Sequence, residues 1–271
     1  MESQEWSRSR FWLAHFVHSR HDRPAIEWHR PVALGPLGGQ RLVWWLTLGR
    51  SKPVESGAWL VARAVHDWRD DPWFVQALRL MVTEQRHHED LLERLAVRWG
   101  AGGSSDASGH RMTETVHRIL SKCRRRCLGP RFEMSVWLLK MVGEHALLRL
   151  IAGAMEDEVV RSVCRVVAQE KRAHIAFLVE RLTMLYADFN FIRRNLRRLR
   201  LRMMWGVISL SDAMGHRRLL DTVGSTRLRF LWDGFRRFAQ LLEQMVPYRR
   251  DALLASLRMQ QQDRYAKPRL R

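Results

Sequence analysis

The sequence predicts an all-α protein. Apolar residues recur at three- and four-residue steps over long stretches, and the breaks between them fall at Pro, Gly and Asp clusters. A hydrophobic fraction of 46% with 28% charged residues is the balance of a chain that buries a core, which excludes a disordered polymer.

Residues 1–37, rich in Trp, His and Pro, read as an irregular segment with one short helix near Arg10 to His18. Gln40 to Leu48 is apolar and reads as helical. Ser51-Lys52-Pro53 marks a helix start, because proline is tolerated in a first turn. That helix runs from Val54 to about Trp68, where Arg69-Asp70-Asp71-Pro72 breaks it, and a second runs from about Trp73 to Trp99. The Gly- and Ser-rich stretch from Gly100 to Gly109 is the clearest loop. A connecting helix from Met112 to Cys127 ends at Leu128-Gly129-Pro130. A long helix over about Phe132 to Met155, the turn Glu156-Asp157-Glu158 and a helix from Val159 to about Tyr186 follow. Beyond Asn190 the pattern predicts two or three more basic helices, with breaks near Gly215, Gly224 and Pro247. The expected organisation is an irregular segment (1–37), a helical bundle (38–188) and a basic helical extension packed on it (189–271).

The formal charge is +19, from 47 basic and 28 acidic residues, and it is uneven: from Phe189 onward 19 Arg and Lys face 6 Asp and Glu. Such a balance favours anionic partners without choosing among them. Three cysteines are too few for a disulfide framework and suggest a reducing compartment, with Cys123 and Cys127 read as ordinary thiols one helical turn apart. The N-terminus lacks the basic-then-apolar order of a signal peptide. The most apolar stretch, Met134 to Met155, is interrupted by Lys140, Glu144, His145 and Arg149, which argues against a membrane span. The expected location is the cytoplasm.

Two strings carry the chemistry: Glu84-Gln85-Arg86-His87-His88 and Glu170-Lys171-Arg172-Ala173-His174. Each puts a carboxylate and an imidazole on one helical face, a little under thirty residues after another glutamate, Glu55 or Glu144. Glu55 and Glu84 lie symmetrically about the Arg69–Pro72 break, and Glu144 and Glu170 about residue 157, so each pair is level within its own antiparallel hairpin. Glu144 interrupts an apolar stripe of Trp137, Met141, Leu148, Ile151 and Met155, and a carboxylate there is costly unless paired or bound to a metal. Plainer readings stand beside this one. Glu55 in a first turn favours the helix macrodipole, Glu84 with His87 makes a surface pair, and Glu170 with His174 makes a salt-bridged face beside Lys171 and Arg172.

On these residues, from about Pro53 to Tyr186, the chain resembles the ferritin-like diiron-carboxylate superfamily, its oxygenase and oxidase branches in particular. The resemblance implies a ferritin-like four-helix bundle with additional N- and C-terminal helices. It makes Glu55 and Glu144 the single glutamates, Glu84 with His87 the Glu-x-x-His pair, and Glu170 with His174 its counterpart. The second motif departs from the family: its spacing is Glu-x-x-x-His, and strict spacing puts Lys171 at the glutamate position. A one-residue π-bulge would restore the register. Alternatively the histidine of both halves is at the fourth position, which makes His88 the equivalent of His174, or Lys171 marks a site with one metal or none.

An occupied site of this kind implies two iron ions, or manganese or a mixed Mn/Fe pair. The implied activity is dioxygen activation to oxidise an organic substrate, carrier-bound or lipidic, with an external electron donor; a tRNA-modifying hydroxylase is the lesser variant. An alternative of a different class is a metal-poor ferritin-like protein that binds an anionic partner. Phe191 to Met204 sets arginines beside Leu196, Leu199 and Met203. It reads as a solvated basic face of a bundle helix, or as a surface for an acidic protein, an anionic membrane surface or RNA. A homodimer is compatible with all of these.

Overall fold

The computed structural model describes residues 2–33, 53–98, 129–187 and 189–246; within these helices the side chains of 2–6, 53–56, 58, 130 and 218 fall outside the description. The described residues form eight helices and no strand: α1 (Glu2–His21), α2 (Pro53–Asp67), α3 (Pro72–Arg98), α4 (Pro130–Ala154), α5 (Glu158–Tyr186), α6 (Phe191–Gly215), α7 (Arg217–Thr222) and α8 (Arg227–Met245). From α2 onward these bounds fall within about two residues of the sequence expectation, because short polar side chains cap the helix starts. Asp71 accepts from the Phe74 amide at 3.0 Å, Asp157 from Val159 and Val160 at 3.0 Å each, Asn190 from Arg193 at 2.9 Å and Thr226 from Arg229 at 3.1 Å. Between α7 and α8 the chain turns at Gly224, whose φ of +66° suits a residue without a Cβ.

The N-terminus differs from expectation. A continuous 20-residue helix replaces the short one near Arg10 to His18, and residues 22–33 then run on without regular structure. Gln40 to Leu48, the Gly100–Gly109 loop, Met112 to Cys127 with its two cysteines, and everything beyond residue 246 lie outside the described residues.

Packing follows the hairpins. α2 lies on α3 and α4 on α5, while α3 meets α5 and α2 meets α4, so the four helices close a ring of pairs. α1 runs along α3, and α6 and α8 cover α4, with α8 also reaching α5. The core is divided. One apolar cluster gathers Phe74, Met81, Trp137, Phe177, Leu182 and Tyr186; the other gathers Leu91, Leu95, Ile151, Val160, Val163 and Val167. Between the two, on α3 and α5, lie Glu84, Gln85, His88, Lys171 and His174, all buried. No helix among the described residues is long and apolar enough to cross a membrane.

Candidate carboxylate–histidine site

On α3, residues 84, 85 and 88 share the inward face with Met81 and Leu91, and on α5 residues 170, 171 and 174 share it with Val167 and Phe177. The two helices run antiparallel at this level, so the glutamate of each meets the histidine of the other. His174 Nε2 stands 2.6 Å from Glu84 Oε2, and His88 Nε2 stands 2.6 Å from Glu170 Oε2. The imidazole centroids are 5.5 Å apart. Two strings of equal Glu-x-x-x-His spacing thus make one reciprocal layer.

Cations close the layer. The Arg23 guanidinium donates to both oxygens of Glu170, at 2.7 and 3.3 Å, and lies 3.7 Å from Glu84 Oε1. Arg20 Nε is 3.5 Å from the same Glu84 oxygen, while its other end donates to the Leu80 carbonyl at 3.1 Å. On the opposite side Lys171 donates to Gln85 at 3.0 Å and to Glu144 at 2.5 Å. Phe16 of α1 packs edge-on against His174, with centroids 5.6 Å apart. A cavity of about 450 Å³ between α1 and α5, lined by Trp12, His15 and Ala173 among others, reaches Arg23, Glu84 and Glu170.

Burial disfavours the imidazolium at both histidines, driving His88 down to about 3 and lowering His174 as well. Both are therefore neutral at pH 7 and donate through Nε2–H, and their buried Nδ1 atoms have no hydrogen-bond partner. Burial alone would raise Glu170, but the hydrogen bond from His88 and the Arg23 guanidinium outweigh it and hold the carboxyl at about 2.

Beyond Lys171 the pattern reverses. Burial, reinforced by the nearby Glu144 charge, pushes both Glu89 and Asp212 up to about 7, and burial brings His216 down to about 4. Asp212 of α6 reaches this side because Gly143 leaves room for it; a Cβ there would stand 3.0 Å from Asp212 Oδ2.

Of the residues singled out by sequence, Glu84, His88, Glu170 and His174 come together in the buried layer. Glu144 sits at its edge, 39% exposed and held by Lys171. His87 is half-buried and outside the reciprocal pairs, so the fourth position of each string, and not the third, faces the carboxylates; burial, with Arg23 nearby, lowers its pKa. Glu55 lies in α2, with its side chain outside the description. Sequence reasoning missed Arg20, Arg23, Glu89, Asp212 and His216. For the two arginines a signal existed in Ser9, Trp12, Phe16, Arg20 and Arg23, which repeat at three- and four-residue steps. Among the described residues no group of three or more His, Cys, Asp or Glu side chains is arranged to hold a metal ion. No family model matches the chain, and no curated protein or solved structure matches it.

Proposed function

We propose that this chain is a ferritin-like helical protein whose carboxylate–histidine layer is closed by its own cations, and that it works as a binding protein for an anionic partner. The ring of pairs made by α2–α5, with glutamates and histidines at mid-height on α3 and α5, supports the ferritin-like plan. The net charge of +19, concentrated from Phe189 onward, carries the reading of an anionic partner, and charge balance inside the layer argues against a resident metal pair. Glu84, Glu144 and Glu170 face Arg20, Arg23 and Lys171, three against three, with both histidines neutral. Two divalent ions would add four charges to a layer already compensated, at several kcal/mol for each buried charge left unpaired. Lys171 also stands where the family spacing requires a glutamate. The residues therefore fit a metal pair poorly, and no chemical step is derived through one.

Metal analysis of protein grown with ample iron and manganese tests this. The expected result is well under one ion per chain and a melting temperature unchanged by a chelator. About two ions per chain, lost together in Glu84→Ala, would overturn it.

One observation favours the second reading, a dimetal (diiron) oxygenase or oxidase. Each imidazole gives Nε2–H to a carboxylate and leaves a buried Nδ1 without a partner, so a ring nitrogen of each histidine is open to a ligand. On that reading Glu55, Glu84, Glu144 and Glu170 with two histidines would hold iron or manganese, the metal pair would supply oxygen activation, and the cavity beside α1 would admit an organic substrate. It requires Lys171, Arg20 and Arg23 to withdraw, and the same metal measurement separates the two.

A further inference from the structure

α6 is amphipathic twice over. Arg198, Leu201, Trp205, Ile208 and Ala213 face inward, with Trp205 stacked on Phe238 of α8 at 5.1 Å. On the opposite face Ile192, Leu196, Leu199, Met203, Val207, Leu210 and Met214 are 46–74% exposed. This is a continuous apolar stripe the full length of a 25-residue helix, with nothing from the described residues packed over it.

The spacing and the flanking charge say what covers it. Six steps span the 22 residues from Ile192 to Met214, a mean of about 3.67 residues per step. A left-handed coiled-coil seam repeats every ~3.5 residues, whereas a stripe near the helical period of ~3.6 stays close to one line of a straight helix; a right-handed seam shares the ~3.67 spacing, and the flanking charge decides against it. Such a stripe suits a flat apolar surface. Arg193, Arg200 and Arg202 flank it, are exposed, and have no ion pair among the described residues. No acidic residue occurs on α6 before Asp212, which lies on the inward face beside Gly143. A second copy would bring the same arginines with no acids to meet them.

The cavity beside Leu199 and Met203, about 840 Å³, adds Arg131, Arg197 and Arg200 to an apolar wall of Phe132 and Leu185. At the start of α6, Phe191 is also exposed. Apolar side chains in a line, arginines along the borders and an exposed aromatic ring at one end are what a helix lying in an anionic lipid interface presents.

We infer that α6 docks the protein on an anionic lipid surface, with the Ile192–Met214 stripe in the acyl boundary and Arg193, Arg200 and Arg202 among the headgroups. This rests on the reading of an anionic partner but not on the metal content of the interior. Vesicle co-sedimentation of the full chain tests it, with phosphatidylglycerol/phosphatidylcholine vesicles against pure phosphatidylcholine. Binding to the mixed vesicles is expected, weakening with salt, and little to the neutral ones. Leu199→Glu with Met203→Glu should reduce partitioning about tenfold or more, and Arg200→Gln and Arg202→Gln about fivefold each. All four positions are exposed, so circular dichroism and melting of the variants should match wild type.

Equal binding to neutral vesicles, or anionic binding untouched by these substitutions, overturns the proposal. So does failure to pellet with any vesicle. In that case a wild-type dimer broken by Leu199→Glu identifies a second copy as the occupant, and a monomer excludes one.

Discussion

Single residues set the response of this protein to pH, and they pull in opposite directions. His88 titrates at about 3 in the fold against 6.5 when unperturbed, and His216 at about 4. Below 6.5 the unfolded chain takes up protons that these buried rings refuse, so their stabilisation is complete above pH 6.5 and is lost as the pH falls toward 3–4. Glu170, held at about 2 against 4.5, adds a second loss between those values. Asp212 and Glu89 run the other way. Their folded values near 7 exceed the unfolded 3.8 and 4.5, so the stability they contribute is complete below those values and is lost as the pH rises through about 7. Urea midpoints measured from pH 4 to 8 should show both arms. His88→Gln should flatten the acid arm and Asp212→Asn the neutral one; slopes unchanged by either substitution would contradict the assignment.

The carboxylates and histidines of this layer were legible in the sequence because each interrupts an otherwise apolar face. Their mutual arrangement was not. The pairing of the fourth position instead of the third, and the lysine reaching across to Glu144, depend on helix rotation, which a spacing argument leaves free by one residue.

Among the helices, α1 was the least legible, and for a physical reason. It buries only a narrow line, Ser9 and Phe16 with Trp12 and Arg20 half-covered, while Phe11 and Val17 are 60% and 45% exposed. Exposed apolar residues scattered around a helix hide its period. The two hairpins were readable because Asp70-Asp71-Pro72 and the acidic Glu156-Asp157-Glu158 punctuate their turns, and Asp71 and Asp157 do more than cap. Asp71 also accepts from Ser9 Oγ at 2.8 Å and from Arg181 at 3.2 Å, and Asp157 also accepts from the Ala33 amide at 3.1 Å. Each cap therefore holds its own helix and one end of the N-terminal segment. Asp157→Ala should cost about 2 kcal/mol, the upper end for a lost cap, because a fully buried carboxylate with three amide donors is removed. A loss under ~0.5 kcal/mol in equilibrium denaturation would show that the N-terminal contact contributes nothing.

For the molecule as a whole, charge is the dominant unbalanced quantity. A net +19 on 271 residues opposes the compact state by self-repulsion, and the excess sits toward the C-terminal helices, where α6 carries six arginines before its first acid. Raising NaCl from about 0.05 to 0.5 M shortens the Debye length from roughly 14 Å to under 5 Å and should raise the melting temperature. A melting temperature that falls instead would mean that salt weakens the Arg–Glu and Lys–Glu contacts of the interior more than it relieves repulsion. The all-helical class and the hairpin order followed from periodicity and turn residues. The coverage of the bundle by α1 on one side and by α6 and α8 on the other did not, since contacts between distant segments leave no local pattern.

The N-terminal segment is fastened at both extremities, Ser9 to one hairpin turn and Ala33 to the other, and the turns lie at opposite ends of the antiparallel pair α3 and α5. Its middle forms one wall of the 450 Å³ cavity and carries the two guanidiniums that neutralise Glu84 and Glu170. The wall therefore cannot recede without taking those charges with it. Size and electrostatics of the interior are mechanically coupled: a guest small enough for the existing space meets Glu84 and Glu170 already paired with guanidiniums, and a larger one creates, by its own arrival, a pair of uncovered carboxylates.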